Sequence, residues 1–270
     1  SVDIVRLSLA KGEYAAVCYE RQFEVDIEWN GKSIGLNGTI DRVDASEDAE
    51  AGKIYLRIID YKSGSKAFDV VSISNNTDMQ LALYAVAATE LYKKGALGRA
   101  DKGLTPAVSG ILYNKLRDDM LVFAKRPPED IAAQLRGKMK LDGLVVTDDD
   151  EAADVQRMDK CLAVPGTRSE FLRLAVNSKG TGLDKRLSSS VSRERFEILL
   201  KYVKKTAVRL DDEIFKGNIE IKPSSGSGGR ACRFCAYREV CLYDIRTDGE
   251  RKGIEKEDAA WAHMESETQV

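Results

Sequence analysis

The sequence predicts an α/β domain: a mixed β-sheet flanked by helices. Three observations predict it. Residues 21–29 alternate apolar and polar side chains, and two β-branched runs, 33–43 and 54–62, follow across an Asn-Gly pair. Residues 78–94 are apolar nearly all round, and a strand-like run over 105–116 comes after them. Residues 192–215 repeat apolar side chains at helical spacing. Side chains repeat every two residues on a strand and about every 3.6 on a helix, so both element types are written into the pattern.

Taken in order, residues 1–18 carry a weak helical period through Val2, Val5 and Leu9 and finish an element that begins upstream. In 21–29, Phe23, Val25, Ile27 and Trp29 share one face and Glu24, Asp26 and Glu28 the other, which is a half-buried strand. Asn30-Gly31 is a tight hairpin turn. The runs 33–43 and 54–62 are the second and third strands, and the acidic, small residues 46–53 with Gly52 read as an irregular turn between antiparallel neighbours. Asn75-Asn76-Thr77 opens the helix over 78–94, where Thr77 and Gln80 also fit a capping box. Pro127-Pro128 precede a short helix over 129–140. The acidic run 148–151 lacks the glycine and spacing of a calcium loop and reads as a solvated face or a helix N-terminus. Residues 177–190 form a Gly/Ser/Lys-rich loop whose Lys179, Lys185 and Arg186 suit either solvent or a phosphate backbone. Ser192 caps the long helix, in which Phe196, Leu199, Leu200, Val203, Ala207, Leu210 and Ile214 are the apolar stripe, and Gly217 stops it. A short strand over 219–221, a flexible linker over 224–229 and a charged tail with a last helix near 257–264 complete the chain.

Composition narrows the class. The chain has 270 residues, 43% hydrophobic and 32% charged, enough for one large domain or two small ones. The net charge of −2 advertises no basic surface, although a total says nothing of a local groove. No apolar run reaches the ~18 residues of a membrane span, and no signal-peptide pattern opens the chain. The sequence reads as a fragment of a longer protein. Its five cysteines are Cys18, Cys161, Cys232, Cys235 and Cys241; an odd count with a tight cluster points to a metal or cluster site in a reducing compartment.

The chemistry gathers in the second and third strands. Each apolar run carries one carboxylate, Asp41 and Asp60, and the second also carries Lys62. Asp60 and Lys62, two apart, point to the same face. The hairpin sets Asp41 beside Asp60. Adjacent carboxylates repel, and a divalent cation with oxygen ligands relieves the repulsion. A lysine beside that cation stabilises charge on a phosphate or positions the attacking water. Such a set suits phosphodiester hydrolysis.

Gly38-Thr39-Ile40-Asp41-Arg42-Val43-Asp44, then Ile59-Asp60-Tyr61-Lys62-Ser63-Gly64, then Gln80-Leu81-Ala82-Leu83-Tyr84 resembles the RecB-like branch of the PD-(D/E)XK nucleases. The C-terminal Cys232-x2-Cys235-x5-Cys241 is similar to the iron–sulfur nuclease domain that ends the B-type polypeptides of bacterial AddAB-type helicase–nucleases. The resemblance covers about residues 20–244 and is weak over 115–190. It implies a restriction-endonuclease-like core over 19–223 after the end of an upstream element at 1–18, a cysteine-rich iron–sulfur segment at 224–244 and a charged tail at 245–270. It also implies that Asp41 and Asp60 bind Mg²⁺ or Mn²⁺, that Lys62 acts on the phosphate, and that Gln80 and Tyr84 border the site. Tyr84 reads equally as a core aromatic, and a capping role is the alternative for Gln80.

The resemblance further implies a [4Fe-4S] cluster on Cys232, Cys235 and Cys241 with a fourth ligand far upstream, the A-type polypeptide of a helicase–nuclease as partner, DNA as a single strand from an unwound duplex, and the bacterial cytoplasm. Two departures stand out. Neither Cys18 nor Cys161 sits in a matching motif for the fourth ligand, and zinc is the alternative metal. The family's histidine metal ligand has no counterpart: the only histidine, His263, lies in the tail as a surface residue, with Glu20 or Glu24 as substitutes. No Walker A motif is present. The alternatives are a non-catalytic DNA-binding or scaffold module of the same fold and a stand-alone iron–sulfur nuclease of the Cas4 type.

Overall fold

The computed structural model of the chain describes residues 2–64, 66–97, 103–116, 137–148, 151–225, 232, 235–244 and 246–269. The helix expected over 129–140 lies mostly outside the described residues, as does most of the linker over 224–229. Two units are present: Ser1–Val25, Leu36–Phe68 and Tyr84–Phe196 make the first; Asp26–Gly35, Asp69–Leu83 and Glu197–Val270 make the second.

A six-stranded mixed sheet in the order β1-β2-β3-β4-β5-β6 forms the backbone of the fold: β1 Ala15–Trp29, β2 Lys32–Asp48, β3 Lys53–Lys62, β4 Thr105–Lys115, β5 Asp142–Thr147 and β6 Ser190–Ser192. With its flanking helices this is the restriction-endonuclease-like α/β architecture. β2 and β3 are antiparallel, β3 and β4 parallel, β4 and β5 antiparallel, β5 and β6 parallel. The alternation read in 21–29 holds, with Phe23, Val25 and Ile27 at 6%, 1% and 1% exposure. Asn30 and Gly31 both take positive φ, 48° and 76°, the turn whose twist matches paired strands.

Several expectations change. β2 runs to Asp48, so the irregular turn is only residues 49–52; Asp48 accepts the Ala51 N–H at 2.9 Å and Gly52 supplies φ 63°. The first helix, α1 (Val2–Lys11), buries Ile4 and Ser8, not the stripe through Leu9, which is 39% exposed. Ile4 joins a core with Tyr14, Tyr55, Ile59, Leu112, Val145, Met158, Phe171 and Leu172. β5 and β6 are not among the elements expected above, although Leu144-Val145-Val146-Thr147 is a short apolar, β-branched run; β5 is six residues buried throughout, and β6 is three residues long. The run 219–221 forms no strand, and Ile219 is 91% exposed; among the described residues it has no neighbour to complete a ladder.

In the second unit, the short α2 (Val70–Ser74) is capped by Asp69, whose carboxylate accepts the Val71 and Ser72 N–H groups at 2.9 and 3.2 Å. α3 (Gln80–Lys93) spans both units and buries Leu81, Ala82, Ala85, Val86, Ala87, Ala88 and Leu91, as its composition predicts. Asn75 does not open that helix. Its side chain closes on the Ile254 backbone, donating to the carbonyl at 2.9 Å and accepting the N–H at 2.8 Å. α4 (Glu151–Met158) belongs to the first unit. α5 (Arg193–Phe215) starts at the predicted cap, where Ser192 Oγ accepts the Arg195 N–H at 3.4 Å, and ends before Gly217 at φ 71°. Its stripe stops short: Ile214 is 74% exposed. After α6 (Arg238–Cys241), α7 (Glu257–Thr268) buries Ala260, Trp261 and Met264. His263 is therefore not a plain surface residue; its ring lies edge-on to Tyr202 with centroids 5.8 Å apart.

Candidate active site

The register of β2 on β3 pairs Arg42 with Ile59 and Val43 with Ile58. Asp41 and Asp60 are the next residues beyond the Arg42–Ile59 end of that pairing. The Asp41 carboxylate accepts the Tyr61 N–H at 2.7 Å, which pins it to the end of β3. Asp60 is 2% exposed. Lys62 Nζ lies 2.5 Å from Asp60 Oδ2, with the lysine side chain one-fifth exposed. The structure thus brings Asp41, from the middle of β2, together with Asp60 and Lys62 at the end of β3.

Burial pushes the Asp60 carboxyl above its ordinary range; the bond and charge of Lys62 oppose this, and the charge of Asp41 adds to it. An ionised carboxylate here is therefore held at a cost that extra positive charge would relieve. Asp60 Oδ2 is buried against the Lys62 ammonium. Two neighbouring carboxylates, one of them buried, offer the oxygen donors a hard cation takes, so the acidic pair fits Mg²⁺ or Mn²⁺. The set is not complete by itself. Among the described residues no three His, Cys, Asp or Glu side chains converge as a metal-holding group, so Glu20 and Glu24 do not supply the third donor. Both point to solvent, with Glu20 at φ 45°.

The two remaining predicted site residues lie on α3. Gln80 occupies its first turn and is exposed; Thr77 Oγ1 donates back to the Ser72 carbonyl at 3.0 Å. Tyr84 is half-buried, its ring edge-on to Phe23 with centroids 5.9 Å apart. Phe23 in turn covers Gly38, where a Cβ would come within 3.0 Å of the ring. That contact is a physical reason for glycine three residues before Asp41.

The second aspartate of the same stretch has a different place. Asp44 lies on the opposite face at 0% exposure, between Arg42 at 1% and Arg57 at 0%. It accepts Arg42 Nε at 2.6 Å and Nη2 at 3.0 Å, and Arg57 Nη2 at 2.6 Å and Nε at 3.2 Å. Arg57 also donates to Ser8 Oγ at 2.9 Å and lies 4.5 Å from the Tyr14 ring centroid. Sequence reading missed this network because nothing in β3 marks Arg57 as buried. The register of Asp44 with Arg57 could have found it.

Also missed was Asp142. Tyr113 pairs with Asp60 across β3–β4 and with Asp142 across β4–β5, so Asp60, Tyr113 and Asp142 form a row on one face. Asp142, 4% exposed, accepts the Phe68 N–H at 3.1 Å and has Arg173 Nε 3.3 Å away.

In the cysteine segment the Cys235 N–H donates to the Cys232 carbonyl at 3.4 Å, and the Cys241 N–H, in α6, to that of Tyr237 at 2.8 Å. All five cysteines are free thiols. Cys232 and Cys241 are half-buried and Cys235 is exposed; the three do not converge on a shared point as a metal group. No helix among the described residues is long and apolar enough to cross a membrane.

The chain is similar to proteins named as the B-type component of an ATP-dependent helicase/deoxyribonuclease. It is 29% identical to one from Clostridium botulinum strain Hall over 97% of this chain and 22% of the relative. For Clostridium kluyveri the figures are 29%, 100% and 23%, and for Caldanaerobacter subterraneus subsp. tengcongensis 34%, 88% and 19%. The chain thus spans about a fifth of the length of the curated relatives it matches. The profile of the PD-(D/E)XK nuclease superfamily matches residues 5–242, nearly the whole sequence, and the chain belongs to that superfamily.

Proposed function

We propose that the chain is the metal-dependent DNA nuclease module of a helicase–nuclease that processes double-strand breaks for recombinational repair. The observation that carries this reading is the gathering of Asp41, Asp60 and Lys62 on one sheet face of a superfamily member. Mg²⁺ or Mn²⁺ at Asp41 and Asp60 supplies a Lewis acid for the scissile phosphate and lowers the pKa of the attacking water. The chain's own residues do the rest. Asp41, fixed by the Tyr61 N–H, and the buried Asp60 hold the cation's charge in a set position. Lys62 stabilises negative charge developing on the phosphate or orients the water. Gln80 and Tyr84 position the strand. The name its relatives carry supports a helicase–nuclease context. In that context the substrate is a single strand delivered from an unwound duplex, the partner an A-type polypeptide and the setting the bacterial cytoplasm.

Asp60→Ala and Lys62→Ala in the intact complex each lower magnesium-dependent cleavage of single-stranded DNA by at least about 100-fold while leaving the protein folded. Unchanged cleavage overturns the assignment. The cysteines carry a second part of the proposal: Cys232, Cys235 and Cys241 are ligands of a [4Fe-4S] cluster. Anaerobically purified full-length protein is then brown, and Cys235→Ser bleaches it; a colourless protein with stoichiometric zinc replaces iron by zinc. A non-catalytic DNA-holding scaffold is the second reading, favoured by the missing third donor among the described residues. Titration with Mn²⁺ separates the two, since a scaffold shows no binding that Asp41→Ala and Asp60→Ala remove.

A further inference from the structure

The loop after β3 returns a second lysine to the acidic face. Phe68 is held from two sides: its N–H donates to buried Asp142 at 3.1 Å, and its ring lies 6.4 Å from that of Tyr113, itself 1% exposed. This clamp fixes the loop two residues after Lys66. Lys66 Nζ stands 5.3 Å from the Tyr113 ring centroid and Lys62 Nζ 5.4 Å from the same centroid. Tyr113 is the β4 partner of Asp60. Both ammonium groups therefore lie near one ring beside the acidic pair, with Lys62 ion-paired to Asp60. A backbone phosphate reaching this face is a charge-assisted hydrogen-bond acceptor for an exposed ammonium. Lys66 is solvent-exposed, whereas the Lys62 side chain is only one-fifth exposed, so Lys66 is the more open to a passing strand. The charge of Lys66 also acts on Asp60, in the same sense as that of Lys62.

We propose that Lys66 contacts the substrate directly, binding a backbone phosphate that flanks the scissile one, with Tyr113 and the Asp142–Phe68 clamp as the parts that position it. The inference rests on the nuclease reading and adds a residue to the site. A lone phosphate contact contributes to holding the strand in both ground and transition states, so its loss raises KM and leaves kcat nearly alone.

The test uses the full-length protein in its complex, with ATP omitted and a short single-stranded oligonucleotide as substrate, over a series of salt concentrations. Lys66→Ala raises KM about tenfold with kcat within about twofold, and the slope of log KM against log salt falls by about 0.7, the counterion release of one contact on a single strand. Lys66→Arg restores both. An unchanged salt slope in Lys66→Ala, or a fall in kcat at constant KM, overturns the proposal. Lys62→Ala run alongside distinguishes the failures. An inactive Lys62→Ala enzyme beside a Lys66→Ala enzyme with wild-type KM and slope removes the phosphate contact alone. A Lys62→Ala enzyme as active as wild type removes the nuclease reading and this inference with it.

Discussion

Asp44→Ala separates what builds the site from what works in it. Asp44 is fully buried and accepts four hydrogen bonds from two guanidinium groups that are themselves buried. Arg57 retains Ser8 and the Tyr14 ring in the variant, but neither offers a negative charge. Removing one partner of a buried ion pair costs about 3–5 kcal/mol, because the remaining charge is left uncompensated. Asp44 serves two arginines, so the loss lies at the top of that range, about 5 kcal/mol. At about 2–4 °C per kcal/mol for a chain of this size, the melting temperature falls by roughly 10–20 °C. Urea and thermal unfolding measure the loss, and cleavage falls with it, because the pairing of Asp44 with Arg57 lies in the register that ends beside Asp41 and Asp60. Replacing the whole network by Arg42→Met, Asp44→Leu and Arg57→Met recovers most of the stability, since no buried charge is then left alone. A loss below about 1 kcal/mol in Asp44→Ala refutes the reasoning, because it means that the guanidinium groups reach water or another anion.

Other outcomes follow from the same geometry. Gly143→Ala unfolds or severely destabilises the protein, by at least about 3 kcal/mol in urea, because its Cβ would come 2.0 Å from the Ile111 carbonyl oxygen across β4–β5; a wild-type midpoint refutes that contact. Tyr84→Phe keeps the edge contact with Phe23 and leaves stability within about 0.5 kcal/mol, and its cleavage rate drops less than about tenfold; a larger drop puts the hydroxyl in the chemistry. Burial raises the carboxyl pKa of Asp154, against the Asp148 N–H that it accepts at 2.5 Å. A raised carboxylate pKa favours the folded state at low pH and loses that contribution as pH rises through the folded value. Asp154→Asn therefore stabilises the protein at pH ~7, and the gain vanishes below the ordinary carboxylate pKa of about 3.9; a gain constant across pH contradicts the cause.

Local patterns carried much of this protein in the sequence. The alternation ending in Trp29, the Asn30-Gly31 turn, the apolar helix through Leu91 and the Ser192 cap are each decided by neighbours within a few residues. Asp41, Asp60 and Lys62 were legible for the same reason: a short turn dictates strand pairing, and strand pairing dictates which side chains meet. Only the tertiary structure decided the rest. β5 becomes a strand because β4 and β6 lie on either side of it. Asp44 and Arg57 neutralise each other across strands, and Asp142 reaches Phe68 over a separation no local pattern spans. The exposed end of α5 shows the converse, for Ile214 obeys the helical period and stays in solvent. A period states which face an apolar residue occupies; whether anything packs on that face depends on segments distant in the chain.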